Sequence, residues 1–462
     1  MISFLSSMGR PAKAAAAVAV VVVTSVSGAG AETLEEALAR AYETNPTLLA
    51  QRAQLRSVDE GVPQALSGWR PTVSVTGDVS RQQSYNNTRS SPTSRYLSPY
   101  GASLDVTQPL YNFTTSPSVS RAENQVRAER AALLSSEQQV LQSVIDAYTA
   151  VLRDQAIVEL NGNNERVLQR QLDATNDRFR VGEVTRTDVS QAEARLAQAT
   201  ADLVLAQGNL AASRAVYRNV IGVNPDNLVV PPPLANLPAT QVESQTLAVA
   251  NNPDVKAAEF TELAARDNVK AIEGELWPEL NLIGSLSADE HSAGDDTHAN
   301  AATITAELSV PLYTAGSVAA RVRAAKQTAD QRREQLDQAR RDAEETATRS
   351  WEALETARAS LRALDAQIRS SQIALEGVQK EALVGSRTVL DVLNAEQELL
   401  NARVNLVVAR RTEVSASYQL KAAVGNLTAR DLTLPVQLYD EERNYRGSRN
   451  RWWGTDIEGE RK

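Results

Sequence analysis

No cysteine occurs among the 462 residues, which excludes disulfides, thiolate metal sites and cysteine nucleophiles. Aromatic residues make up only 4%. Ala, Leu, Gln, Arg and Glu dominate instead, the composition of long helices rather than of a thick globular core. There is no Gly-rich phosphate loop and no nucleophile–base arrangement, so nothing points to an enzyme or to a cofactor. A net charge of −9 argues against a nucleic-acid partner, because a phosphate backbone selects for basic surfaces. The 17 prolines avoid residues 118–224 and 312–434 altogether, so both blocks can be helical almost throughout.

Long apolar runs are also missing, with one short exception. Arg10 and Lys13 precede a mainly apolar stretch of 13 residues, Ala14–Val26, and Ala29-Gly30-Ala31 follows just before Glu32. That pattern predicts an export signal over residues 1–31 and is too short for a spanning helix. Its removal takes away two positive charges, −9 − 2 = −11. With no cysteine at the cleavage site, a lipid-anchored mature N-terminus is not expected.

What is present is written twice. Asn45-Pro46 recurs as Asn252-Pro253, and Gly77 as Gly284, both 207 positions on. "QPLY" at 108–111 returns as "VPLY" at 310–313, 202 positions on, and Gly182, Asp188 and Gly222 return as Gly385, Asp391 and Gly425, 203 positions on. The mature chain therefore reads as an internal two-fold repeat, 32–225 and 240–428. A proline-rich linker over 226–239 joins the halves, and 429–462 is expected to be a partly disordered tail.

Each half has the same parts. Val119, Val126, Leu133 and Val140 repeat every seven residues, as do Leu354, Leu361, Ile368 and Leu375, the seam of a coiled coil. Gly182 and Gly385 mark the reversals of two long helical hairpins, since glycine tolerates the backbone angles that end helices. Before each block lie segments with period-two alternation, 72–80 and 102–108 in the first half, 279–287 and 301–310 in the second. These read as four strands in two hairpins (72–108 and 279–310) with one apolar and one polar face, long enough to cross an outer membrane when tilted. Trp69 and Trp277 precede the first strand of each pair, and Tyr111, Phe113 and Tyr313 follow the second. All five then share one end, as an interfacial girdle requires, while the polar loops 81–101 and 288–300 fall at the other. Four strands cannot close a barrel, and an open edge in lipid leaves backbone groups unpaired; bacterial barrels have at least about eight strands, so several copies must pool theirs.

The layout, the repeated Asn-Pro, "QPLY"/"VPLY" and above all "VGSRTVLDVLNAEQELLNARVNL" at 384–406 resemble the TolC family of outer-membrane efflux and type I secretion ducts. The resemblance implies an α+β membrane protein in which three chains of four strands form a 12-stranded barrel leading into a periplasmic α-helical tunnel. It implies a homotrimer in outer-membrane lipid, served by a periplasmic adaptor and an inner-membrane ABC or proton-driven transporter. It also gives roles to residues. Asp188 would pair with Arg387 to latch an iris-like gate at the helical tips, and Asp391 would project into the constriction, where three carboxylates attract cations. Two positions depart from the pattern. Asn394 stands where many members carry a second acid, and Ala382 where the family latch has a tyrosine.

Other readings remain open at this point. Asp188 and Asp391 could simply cap the first turn of the returning helices. The heptads alone would suit a soluble periplasmic scaffold or adhesin. His291 and His298, flanking Asp295 and Asp296, could collect a metal ion, but a solvated polar loop between strands is the preferred reading of them. A duct without covalent chemistry leaves no motif that names its cargo.

Overall fold

The computed structural model describes residues 32–88, 91–232, 234, 236–291 and 296–457; the expected export signal lies outside them. The chain opens with α1 (Leu34–Thr44), α2 (Pro46–Asp59) and α3 (Gly61–Leu66), and a 3-10 turn over Ser67–Trp69 leads to β1 (Thr72–Val79). After β2 (Gln82–Thr88), β3 (Ser91–Leu97) and β4 (Tyr100–Tyr111) come α4 (Thr115–Arg180) and α5 (Arg186–Ile221). The second half runs α6 (Gln241–Asn251), α7 (Pro253–Gly274), β5 (Glu279–Glu290), β6 (His298–Ser309), α8 (Ser317–Leu383) and α9 (Val389–Ala423), and α10 (Arg443–Ser448) ends it. With 66 and 67 residues, α4 and α8 each extend ~100 Å at ~1.5 Å per residue.

The recurrent Asn-Pro has a double purpose. Asn45 Oδ1 accepts from the Thr47 amide at 2.9 Å while Pro46 opens α2. Asn252 does the same for α7, accepting from the Asp254 amide at 2.8 Å. Proline suits that first position because its missing N–H would have no helical partner there. Each asparagine also reaches the end of a returning helix, Asn45 Nδ2 donating to the Val220 carbonyl at 2.9 Å and Asn252 Nδ2 to that of Ala423 at 3.5 Å.

The main core gathers around the middle of α4. Leu141, Val144, Ile145 and Tyr148 pack with Leu38 and Tyr42 of α1, Leu48 and Leu55 of α2, Tyr217 and Ile221 of α5, and Leu427 beyond α9. Tyr148 Oη ties the periphery to this core through the carbonyls of Glu32 at 2.8 Å and Val229 at 2.7 Å. Two polar anchors join the second half to α4: Asp267 of α7 accepts from Ser120 and Asn124 at 2.6 and 2.9 Å. Burial alone would raise the Asp267 carboxyl, but those bonds and the neighbouring Lys270 bring it below its ordinary value.

One antiparallel sheet runs in the order β1-β4-β5-β6, and its register sorts the side chains. The rows Val73–Val106–Gly284–Ile304 and Val75–Leu104–Leu286–Ala302 lie on one face. Ser74–Asp105–Ser285–Thr303 and Thr76–Ser103–Ser287–Ala301 lie on the other. The four alternating segments are thus one continuous surface with an apolar and a polar side, although β4, β5 and β6 run to 12 residues each.

Two expectations need correction. Residues 81–101 are not simply a polar loop, since β2 and β3 pair as a separate two-stranded ribbon. A ribbon without apolar alternation lacks the signal by which strands are recognised. The tail is also packed as far as Arg451. Arg52 lies 4.5 Å from the Tyr42 ring and 5.0 Å from that of Tyr439. Arg130 pairs with Glu442 at 3.3 Å and faces the Tyr445 ring at 5.3 Å. Cation–π and ionic contacts add to the burial of Ala429 and Leu434 in the main core, in a segment whose composition reads as unstructured.

Gly222 and Gly425 both have positive φ, 91° and 82°. A Cβ on Gly222 would meet nothing within 4 Å, whereas one on Gly425 would lie 2.5 Å from the Asn251 carbonyl oxygen. Gly222→Ala is therefore expected to cost about 1–2 kcal/mol of backbone strain, and Gly425→Ala clearly more. Thermal unfolding of the detergent-solubilised variants measures the difference.

Candidate gate at the helical tips

Both long helices reverse by the same local chemistry. At the end of α4 the Gly182 amide bonds the Phe179 carbonyl at 3.0 Å and the Glu183 amide that of Arg178 at 2.9 Å. At the end of α8, Gly385 bonds Ala382 at 3.2 Å and Ser386 bonds Glu381 at 3.0 Å. The left-handed turns this needs fall on Gly182 and Gly385, with φ of 80° and 79°, as in a helix-ending Schellman motif.

The two aspartates then start the returning helices. Thr185 and Asp188 form a reciprocal capping box at α5: the Thr185 amide donates to Asp188 Oδ2 at 2.8 Å and the Asp188 amide to Thr185 Oγ1 at 3.3 Å. Thr388 and Asp391 repeat it at α9, at 3.0 and 3.2 Å. Two otherwise free N–H groups are satisfied at each start. Hydrogen bonds from the Thr388 amide and hydroxyl, then the charge of Arg387, hold the Asp391 carboxyl below its ordinary value. The capping reading of both acids is the one the chain displays.

Asp188 and Arg387 do not meet within the chain. Arg387 Nε pairs instead with Glu381 Oε2 at 2.9 Å, across the turn that Gly385 makes, and the pair raises the guanidinium further above its ordinary value. The first tip has its own pair, Arg178 with Glu183 at 3.1 Å. Asn394 is engaged across the hairpins: Arg195 Nη2 of α5 donates to its Oδ1 at 2.8 Å. Beneath that bond Leu168, Ala199, Val389 and Leu393 form a small buried seam, which fastens α4 and α5 to α9. Ala382 is half-buried. Around the turns Val181, Leu383 and Val384 are exposed to 72%, 85% and 80%.

The outer membrane efflux protein family matches residues 37–223 and 246–426. The chain belongs to that family. It is 36% identical over 425 residues to the outer membrane efflux protein BepC of Brucella suis biovar 1, covering 92% of each chain. To the outer membrane protein TolC of Vibrio cholerae it is 28% identical over 420 residues, covering 88% of this chain and 93% of that one. Among solved structures, the CmeC outer membrane channel of Campylobacter jejuni superposes with a TM-score of 0.78 over 90% of this chain and 89% of that one, at 15% identity; the likeness is one of fold. As a TolC-family export channel the protein sits in the outer membrane and extends into the periplasm, within a family of transport proteins. A soluble scaffold is set aside.

At the other end of this channel subunit, the sequence-selected aromatics lie where strands pass into helices. Phe113 and Trp277 stack with ring centroids 5.4 Å apart, and Gln108 Nε2 donates to the Trp69 carbonyl at 3.0 Å. Tyr111 and Tyr313 are exposed there. In the β5–β6 hairpin His298 pairs with Glu290 and His291 packs edge-on against Tyr100. Asp295 lies outside the described residues, among which no group of three or more potential metal ligands occurs.

Sequence reasoning missed Arg195, because its bond to Asn394 spans 199 positions and nothing local announces it. The threonine caps were readable as Thr-x-x-Asp in "TRTD" and "TVLD". Thr185→Ala should cost about 1 kcal/mol of cap stability and raise amide exchange in the first turn of α5 about five-fold. The depressed Asp391 carboxyl adds a pH dependence of defined sign. Its cap is intact above its unfolded value, 3.8, and is lost as pH falls through the lower folded value, which amide exchange in α9 reports.

Proposed function

We propose that three copies of this chain close a single conduit, a 12-stranded barrel in the outer membrane continued by a helical tunnel, and that the duplicated tips gate its periplasmic mouth. One observation carries the reading. The sheet ends at β1 and β6, which pair within the chain only with β4 and β5, so both margins carry unpaired backbone groups beside an apolar face. In hydrocarbon each such group costs several kcal/mol, and joining β6 of one copy to β1 of the next removes the cost. The helices support the same assembly, for Val204, Leu205 and Val216 of α5 and Ile373 of α8 are exposed and offer apolar area to neighbouring copies. The two halves are read as duplicated units, each supplying two strands and one helical hairpin.

Arg387 is the moving part of the gate in this reading. It is bound to Glu381 of its own hairpin and exchanges that partner for Asp188 when the iris closes, which gives two discrete states. Asp391 faces the constriction, where three copies make an anionic ring. The exposed apolar turns at Val181, Leu383 and Val384 form the docking rim for a periplasmic adaptor, through which an inner-membrane ABC or proton-driven transporter delivers cargo.

Purified protein in detergent should migrate as a trimer and give discrete conductance steps in a planar lipid film; a water-soluble monomer without a pore overturns the assembly. Asp391→Ala should weaken cation selectivity or block by divalent cations in those recordings. Asp188→Ala combined with Arg387→Ser should raise single-channel conductance, and an unchanged value places the latch elsewhere.

A further inference from the structure

The segment after α10 is tied to the foot of the sheet. Arg70, the residue between Trp69 and Pro71, donates from Nη1 to the Arg451 carbonyl at 2.7 Å and from Nη2 to that of Arg449 at 3.3 Å. Its guanidinium also lies 5.1 Å from the ring of Trp452. Arg449 in turn pairs with Glu123 of α4 at 2.9 Å. The segment is therefore strapped to α4 and to the chain just ahead of β1.

Arg451 shapes the strap into a loop. It donates from Nε to the Trp453 carbonyl at 3.0 Å and from Nη1 to the Asp456 carbonyl at 2.6 Å, and pairs with the Asp456 carboxylate at 3.0 Å. Gly454 supplies the left-handed turn with φ of 95°. The loop is held by its own polar contacts, yet it presents Trp452 and Trp453 at 57% and 85% exposure. Nothing in the folding of this subunit explains two tryptophans left bare on a constrained loop, in a chain with five tryptophans in all.

Their position supplies the explanation. Val73, the first apolar residue of β1, lies three residues beyond Arg70, roughly 10 Å along an extended strand. Trp69 and the Phe113–Trp277 stack are at the same end of the sheet. The indole ring has an apolar body and one N–H donor, which favours the boundary between acyl chains and headgroups.

We propose that Trp452 and Trp453 form a C-terminal anchor that rests in the headgroup region of the periplasm-facing leaflet, extending the aromatic end of the sheet outward along the membrane. The inference rests on the barrel reading above and adds to it a lipid contact made by a segment that belongs neither to the barrel nor to the tunnel. The occupant is phospholipid, because the surface continues the apolar foot of the sheet and is shaped as a rigid pair of indoles rather than as a groove.

Because the chain has no cysteine, Thr455→Cys creates a unique attachment point for a nitroxide at an exposed position of the same loop that leaves both tryptophans in place. The labelled full-length protein is reconstituted into phosphatidylethanolamine–phosphatidylglycerol vesicles, and collisions with oxygen and with a water-soluble nickel chelate are compared by power saturation. The same label at Asp226→Cys, on the exposed linker, is the aqueous reference. The oxygen-to-nickel collision ratio at position 455 should exceed the reference several-fold. A ratio equal to the reference, meaning a loop in water, overturns the proposal. So does low collision with both reagents, meaning cover by a neighbouring copy or another protein. Conductance of the same preparation separates the two readings: a pore with a wet label removes the anchor alone, whereas absence of a pore removes the barrel.

Discussion

Among the described residues β1 pairs only with β4 and β6 only with β5, and in the proposed assembly most of the architecture follows from the partners those margins need. The four strands between them are internally satisfied and sorted by register into a face of Val, Leu and Ile and a face of Ser, Thr and Asp. Such a sheet has no use for its apolar face in water and no tolerance for its margins in lipid. Closure with further copies answers both demands. The helices repeat the deficiency in another currency: α8 spans ~100 Å with only scattered residues buried, so much of its apolar seam still requires neighbours.

Self-sufficiency is confined to the waist of the molecule. There α1, α2, the middle of α4, the end of α5 and the residues after α9 share one core. The Asn-Pro elements clamp the ends of the returning helices, and α7 is pinned to α4 through Asp267. In the proposed gate, this packed waist between the sheet and two pairs of helices would let the tips be repositioned without disturbing the sheet. The strap formed by α10 and the loop after it runs from this waist to the foot of the sheet, so its tryptophans sit on a fixed part of the subunit.

The sequence carried the long-range plan well where a pattern repeats over many residues. Absence of proline announced α4, α5, α8 and α9, and alternation announced β1, β4, β5 and β6. The failures have physical causes. The ribbon of β2 and β3 buries no apolar face and so leaves no period to detect. The tail is held by Arg–Tyr and Arg–Glu contacts to residues more than 300 positions away, which composition does not encode. At the tips, Thr-x-x-Asp declared the caps, but Arg387 reaches Glu381 only because Gly385 folds the chain back, and the Arg195–Asn394 bond depends wholly on how α5 meets α9.

Charge at the proposed constriction follows from that last contact. Asp391 and Asn394 are three residues apart on α9 and share a face, and the cation bound to Asn394 is Arg195. Where a second acid would double the negative charge at this level, the chain has a neutral amide carrying a guanidinium. Per copy the sum of Asp391 and Arg195 is −1 + 1 = 0, with Arg387 already balanced by Glu381. In the proposed trimeric mouth the Asp391 ring is anionic and is compensated one turn along by Arg195. The seam of Leu168, Val389 and Leu393 keeps α9 in place, so the proposed gate would exchange exposed ion pairs above a buried cluster. Exposed pairs exchange at little cost, so in the proposed trimer closure would depend on geometry summed over three copies rather than on one strong bond.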